Sequence, residues 1–120
     1  MDKILKHLLV LFICTNIYGV DDELILSKEF PAKLSDFNFF KDASAQIPHD
    51  EVIPYELIST LFSDYSYKQR WVYVPKGKKA EYQENWVFNF PTGSALIKTF
   101  YYPVDERNPE LGKNLLETRL

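Results

Sequence analysis

The sequence predicts a mainly β domain: an antiparallel, sandwich-like sheet with a short helical lead-in, carried behind an export signal. Three observations predict it. Aromatic residues are dense, with eight Tyr, nine Phe and two Trp in 120 residues, and many fall in short runs with β-branched neighbours, as half-buried pleated surfaces require. Clusters such as Pro75-Lys76-Gly77-Lys78 and Pro91-Thr92-Gly93 punctuate those runs with turn chemistry. The first nineteen residues have a different character altogether.

In residues 1–19, Lys3, Lys6 and His7 give a basic start, Leu8-Leu9-Val10-Leu11-Phe12-Ile13 is apolar, and Gly19 supplies a small residue before the acidic Asp21-Asp22-Glu23. That order is the physics of a secretory signal, and the apolar run is shorter than the about 20 residues a spanning helix needs. Cleavage is expected after Gly19. Cys14 is the sole cysteine. It is read as an apolar signal residue, because Ile13 stands where a lipid-anchor signal places a small one; lipidation of Cys14 is the alternative. Without it, residues 20–120 contain no cysteine, hence neither a disulfide framework nor a cysteine zinc cluster.

Residues 20–50 are read as a lead-in segment and 51–120 as the β-rich domain. Leu24-Ile25-Leu26 suggests a short strand closed by Pro31. Leu34, Phe37, Phe39 and Phe40 suggest a helical turn pinning aromatics to the domain, and Lys41 to Asp50 reads as a polar loop. Ile53 to Ile58 looks extended, with Pro54 implying an edge strand. Leu61 to Tyr65 contains a turn. Arg70-Trp71-Val72-Tyr73-Val74 is a strand, Ala80-Glu81-Tyr82 a short one, and Glu84-Asn85 a turn. Trp86-Val87-Phe88-Asn89-Phe90 alternates as a strand with three aromatics on one face. Ala95 to Tyr102 is the strongest strand pattern. Pro103 to Lys113 reads as an exposed loop, and Leu115 to Leu120 as a strand pattern still running at the last residue, from which an incomplete, marginally stable domain is expected.

Loss of Asp2, Lys3 and Lys6 would leave twelve basic against sixteen acidic residues, taking the formal charge from −3 to −4. That balance argues against nucleic acid, which needs a cationic footprint, and against docking on anionic lipid. Charge is nonetheless placed unusually. Asp64, Lys68 and Arg70 flank a strand start, Lys98 interrupts an apolar run, and Glu117 and Arg119 are two apart on one strand face. These six are expected to be structural cross-strand ion pairs that fix register. The alternative is a polar site for an anionic or sugar-like ligand, with Arg70 or Arg119 gripping a carboxylate and Trp71 or Tyr73 stacking on it. Other chemistry is thin. His49 lies in a loop beside Asp50. Asp21 to Glu23 is a solvated acidic run rather than a calcium site. Gly93 belongs to a turn and not to a phosphate loop. No catalytic, cofactor-binding or metal-ligating residue is assigned.

Several blocks carry a resemblance. Leu61-Phe62-Ser63-Asp64-Tyr65-Ser66-Tyr67-Lys68-Gln69-Arg70 is followed by Val74-Pro75-Lys76-Gly77, Phe90-Pro91-Thr92-Gly93, Ile97-Lys98-Thr99-Phe100-Tyr101-Tyr102 and Glu117-Thr118-Arg119-Leu120. Over residues 34–120 this order resembles secreted bacterial proteins described as diheme c-type cytochrome-like or as conserved repeat-type hypothetical proteins. The resemblance implies export and a β fold, and it implies an N-terminal piece of a longer protein. It does not carry over haem binding, because Cys-x-x-Cys-His is absent. The function expected is an exported, non-catalytic accessory or binding module of a larger redox-associated periplasmic protein, its protein or sugar-like partner unidentified. The alternative is part of a periplasmic oxidoreductase or carbohydrate-active enzyme whose active groups lie beyond residue 120.

Overall fold

The computed structural model describes residues 19–120. The signal-like run and Cys14 therefore lie outside the described residues. The chain is mainly β and antiparallel, with a four-stranded sheet, a two-stranded ribbon and short helical turns.

The sheet is built from β3 (Val52–Pro54), β4 (Tyr67–Tyr73), β5 (Ala95–Pro103) and β6 (Lys113–Arg119), in that order across the sheet. Pro54 ends β3, an edge strand, as its missing N–H requires. In β4 and β5 the register sets Trp71 opposite Ile97, Arg70 opposite Lys98 and Lys68 opposite Phe100. Because successive side chains alternate faces, the sheet has two unlike sides. One carries Trp71, Tyr73, Ile97, Thr99 and Val52, all buried. The other carries Lys68, Arg70, Lys98 and Phe100.

The apolar side is covered by the lead-in. The 3₁₀ turn Leu34–Phe37 delivers Phe37, Asn38 reverses the chain in the left-handed region at φ 57°, and Phe39 follows. Asn tolerates that conformation better than most residues, so both phenylalanines reach the same core. Phe37 stacks on Phe39 at 5.4 Å, Phe39 meets Tyr73 at 6.2 Å, and Phe40 stands edge-on to Trp71 at 5.1 Å. Each fully buried aromatic or aliphatic side chain contributes about 1.5–3 kcal/mol. The lead-in thus provides a large share of the core rather than decorating it.

Three local expectations need correction. Leu24-Ile25-Leu26 is not a strand: Asp22–Ile25 is the short helix α1, capped by Asp21, whose carboxylate accepts from the Leu24 N–H at 2.9 Å. Nor is the acidic run merely solvated, since Asp22 accepts a hydrogen bond from the Tyr73 hydroxyl at 2.6 Å, tying α1 to the sheet. Lys41 to Asp50 is not all loop, because Phe40–Asp42 (β1) and Ile47–Pro48 (β2) pair as a ribbon.

The largest departure lies between β4 and β5. Neither Ala80-Glu81-Tyr82 nor Trp86 to Phe90 is a strand; the two stretches share a single bridge, Glu81 with Asn89. Alternation alone does not make a strand without a neighbour to pair with. Both sides of β5 are taken by β4 and β6, and this excursion pairs with neither edge strand, β3 or β6, leaving Tyr82, Trp86, Val87 and Phe88 exposed. At its end Gly93, at φ 93°, turns the chain into β5 where a Cβ would lie 3.1 Å from the Pro75 ring. The expected loop after Pro103 contains one 3₁₀ turn, Pro109–Leu111, and β6 begins at Lys113, two residues before the anticipated Leu115.

Candidate functional site

The sheet face opposite the core gathers five of the six singled-out charged residues. Lys98 sits at the centre of β5, with Arg70 opposite it on β4 and Arg119 opposite it on β6. One pleat along, Phe100 lies between Lys68 and Glu117. A bulge makes this alignment possible. Phe100 pairs with Glu117 but Tyr101 pairs with Leu115, so Leu116 is an extra residue on β6. Beyond it Lys113 shifts to the other face, where its ammonium lies 5.0 Å from the Tyr101 ring centre.

The cations converge on one ring. The Lys98 Nζ lies 4.6 Å from the centre of Phe100, the Arg119 guanidinium carbon 4.9 Å and the Lys68 Nζ 5.9 Å. These are cation–π distances. Glu117 is the face's one carboxylate and is ion-paired with Arg119 on its own strand. The expected cross-strand ion pairs are therefore replaced by a row in which like charges face one another: Arg70, Lys98, Arg119. Like charges directly opposite in a sheet are destabilising. Arg70 is 9% exposed, and among the described residues no carboxylate lies within ion-pair distance of Arg70 or Lys98. The ammonium of Lys98 is held below the usual lysine range, first by its own desolvation, then by the positive fields of Arg70, Lys68 and Arg119; Glu117 works in the opposite direction.

Asp64 stands apart from this row. Its backbone matters more than its carboxylate. Asp64 and Tyr65 are consecutive left-handed residues at φ 44° and 60°, uncommon for non-glycine residues. The loop carrying them is pinned at several points. The Tyr102 hydroxyl donates to the Asp64 carbonyl at 2.9 Å, the Ser66 N–H to the Ser63 carbonyl at 2.8 Å, and the Lys68 ammonium to the Leu61 carbonyl at 2.6 Å. Phe62 and Tyr65 meet edge-on at 5.0 Å and both stay largely exposed.

Between this loop and β4 opens a cleft of about 430 Å³. Thr60, Leu61, Phe62, Ser63, Tyr65 and Tyr67 line it with Ser66, Lys68 and Arg70, the Ser66 hydroxyl donating to the Ser63 carbonyl at 2.7 Å. Glu106 lines it too, its carboxylate accepting from the Tyr67 hydroxyl at 3.4 Å. The cleft shares Arg70 with the cationic row, and Lys68 with the cations around Phe100. Sequence reasoning picked out the charged residues but missed Phe100, the ring they surround, and Tyr65. In the alternative ligand-site reading Trp71 or Tyr73 would stack on the ligand, but both are at most 3% exposed and face the core. Alternation along Arg70-Trp71-Val72-Tyr73 was the signal that would have separated them from Arg70.

His49 donates its backbone N–H to Phe39 and is part of the ribbon's end. Among the described residues no group of three or more His, Cys, Asp or Glu could hold a metal ion, and no helix is long and apolar enough to cross a membrane. Comparison of the chain with family models, curated proteins and solved structures found no match.

Proposed function

We propose that this protein is an exported, non-catalytic binding module that takes an anionic ligand on its cationic sheet face. The observation that carries the reading is the register: Arg70, Lys98 and Arg119 stand side by side on three strands with one carboxylate among them. A sheet evolved for stability alone would alternate signs there. An anion seated across the row would turn mutual repulsion into charge-assisted hydrogen bonds, the strong class of hydrogen bond. The signal-like order of residues 1–19 supports export. The order of blocks from Leu61 to Leu120 supports an accessory role in a redox-associated periplasmic protein.

Two measurements test this. N-terminal sequencing of the secreted product is expected to begin near Val20, and an intact Met1 on cytoplasmic protein would refute export. Calorimetric titration with citrate is expected to show binding that weakens steeply as salt rises, since contacts at a partly exposed face are screened. Arg119→Gln, on the rim of the row, is expected to weaken it about tenfold, near the lower end of what one charged hydrogen bond contributes. Absence of citrate binding at low ionic strength would refute the anion site.

A further inference from the structure

The signal-like run and the folded domain meet at one carboxylate. Val20, the first residue after the expected cleavage point, is half-buried against the core. Its backbone N–H donates to the Glu51 carboxylate at 3.4 Å. Gly19 lies against the same group, since a Cβ placed on it would come 2.9 Å from Glu51 Oε2. The Gly19–Val20 peptide bond therefore rests on Glu51. A separation of 3.4 Å is long for an amide hydrogen bond and ordinary for an ion pair.

The residues that follow hold the Val20 nitrogen in this place. The Asp21 N–H donates to the Phe37 carbonyl at 3.1 Å, and Asp22 accepts from the Tyr73 hydroxyl at 2.6 Å. Glu51 is anchored at its backbone: it precedes Val52, 2% exposed, which opens β3 opposite Tyr73. Two carboxylates, Asp22 and Glu51, thus approach one hydroxyl. Tyr73 is held above the usual tyrosine range by burial first, then by the bond and charge of Asp22, and also by the charge of Glu51. Among the described residues neither carboxylate has a Lys, Arg or His within ion-pair distance. A positive charge on the Val20 nitrogen would offset both.

We propose that removal of the export signal creates that charge: the mature N-terminus at Val20 is an ammonium that ion-pairs with Glu51 and fastens the lead-in to the sheet. The inference rests on the export part of the reading above. In the cleavage step, catalysed by the peptidase of the export machinery, water adds across the Gly19–Val20 amide and the C–N bond breaks. The water oxygen stays on Gly19 as part of a carboxylate, and both water hydrogens pass to the Val20 nitrogen. A free α-amino group titrates at about 7.7–8.0, so most of it is charged at neutral pH. The occupant is set by covalent connection, and the position of the cut matters. One residue left ahead of Val20 would carry the charge about 3.8 Å further along the chain and return a neutral amide to Glu51. The lead-in held this way is the segment that brings Phe37 and Phe39 to the core.

Glu51→Gln keeps an acceptor beside Val20 and removes only the charge. In the secreted product it is expected to lower Tm by about 2–4 °C, the scale of one exposed ion pair in a domain of this size. In chain that retains the Gly19–Val20 bond, the same substitution is expected to shift Tm by less than about 1 °C. Should the uncleaved chain fail to fold, the Val20 α-amino group of the secreted product provides the second arm, titrated by amine labelling and mass spectrometry of the N-terminal peptide. It is expected to titrate above about 7.7–8.0 in the wild type and lower in Glu51→Gln. The same titration in both proteins, or an equal loss of Tm with the bond cut and uncut, would overturn the ion pair. N-terminal sequencing keeps the two readings apart. A secreted product that begins at another residue would overturn the ion pair and leave export standing, whereas intact Met1 on cytoplasmic protein would remove both.

Discussion

Replacing Lys98 by methionine is expected to stabilise this protein, the reverse of what removing a structural ion-pair partner would do. Methionine keeps most of the apolar stem that lies along Phe100 and deletes only the charge. Three cations and one carboxylate act on that charge: Arg70, Lys68 and Arg119 against Glu117. At a separation of about 7 Å two unit charges interact by about 0.6 kcal/mol in a water-like dielectric. Three repulsions against one attraction leave about 1.2 kcal/mol, and screening over a Debye length of about 8 Å reduces that to about 0.5 kcal/mol. Partial burial of the row restores some of it, so the expected gain is about 0.5–1 kcal/mol, or about 2–8 °C in Tm for a domain of this size. Thermal unfolding by circular dichroism measures it. Raising the salt should narrow the gap between wild type and variant, because salt screens only what the variant has already lost. Lys98→Ala, which also removes the stem over Phe100, should fall below Lys98→Met. A Lys98→Met variant that melts several degrees lower than wild type would show that the lysine charge has a stabilising partner, and the argument for a ligand face would fail with it.

The remaining predictions concern the core and the turns. Phe39, 1% exposed between Phe37 and Tyr73, is expected to cost about 3–5 kcal/mol when cut to alanine; denaturant unfolding would show it, and a loss under 1 kcal/mol would mean the lead-in is not part of the core. Tyr73 is held above the usual tyrosine range by burial and by its bond to Asp22, so the stability it provides is present below pH 10 and lost as pH rises further, the unfolded chain then releasing the proton first. Tyr73→Phe should cost about 1–2 kcal/mol at neutral pH by stranding the Asp22 carboxylate, and its alkaline unfolding limb should be shallower than wild type; identical limbs would refute the assignment. Gly93→Ala forces a side chain into the left-handed region against Pro75 and is expected to destabilise by at least about 1 kcal/mol, whereas Gly77→Ala, with open space around it, should cost only the backbone strain.

The sheet's long strands, its turns and the chemical oddity of its charges can be read from the residues alone. Turn residues and β-rich runs are local signals, read without knowing what lies across the sheet, and this is why the cores of β4 and β5 were legible. Leu24 to Leu26 was misread because three apolar residues fit a strand as well as a helical turn, and the cap at Asp21 decides between them only once Leu24 offers its N–H. Trp86 to Phe90 was misread because alternation makes a half-buried strand only where a neighbour pairs along it, and this stretch meets its neighbour at a single bridge, Asn89 with Glu81. The candidate site shows the same division. Lys68, Arg70, Lys98, Glu117 and Arg119 were conspicuous as charges in strand contexts, but the sign of each neighbour is a matter of register. A bulge at Leu116 and the pairing of Arg70 with Lys98 turned an expected set of ion pairs into a row of like charges around Phe100. The fold alone decides that, because cross-strand pairing joins residues 10 to 34 positions apart, and a shift of one residue would have sent every one of those side chains to the opposite face.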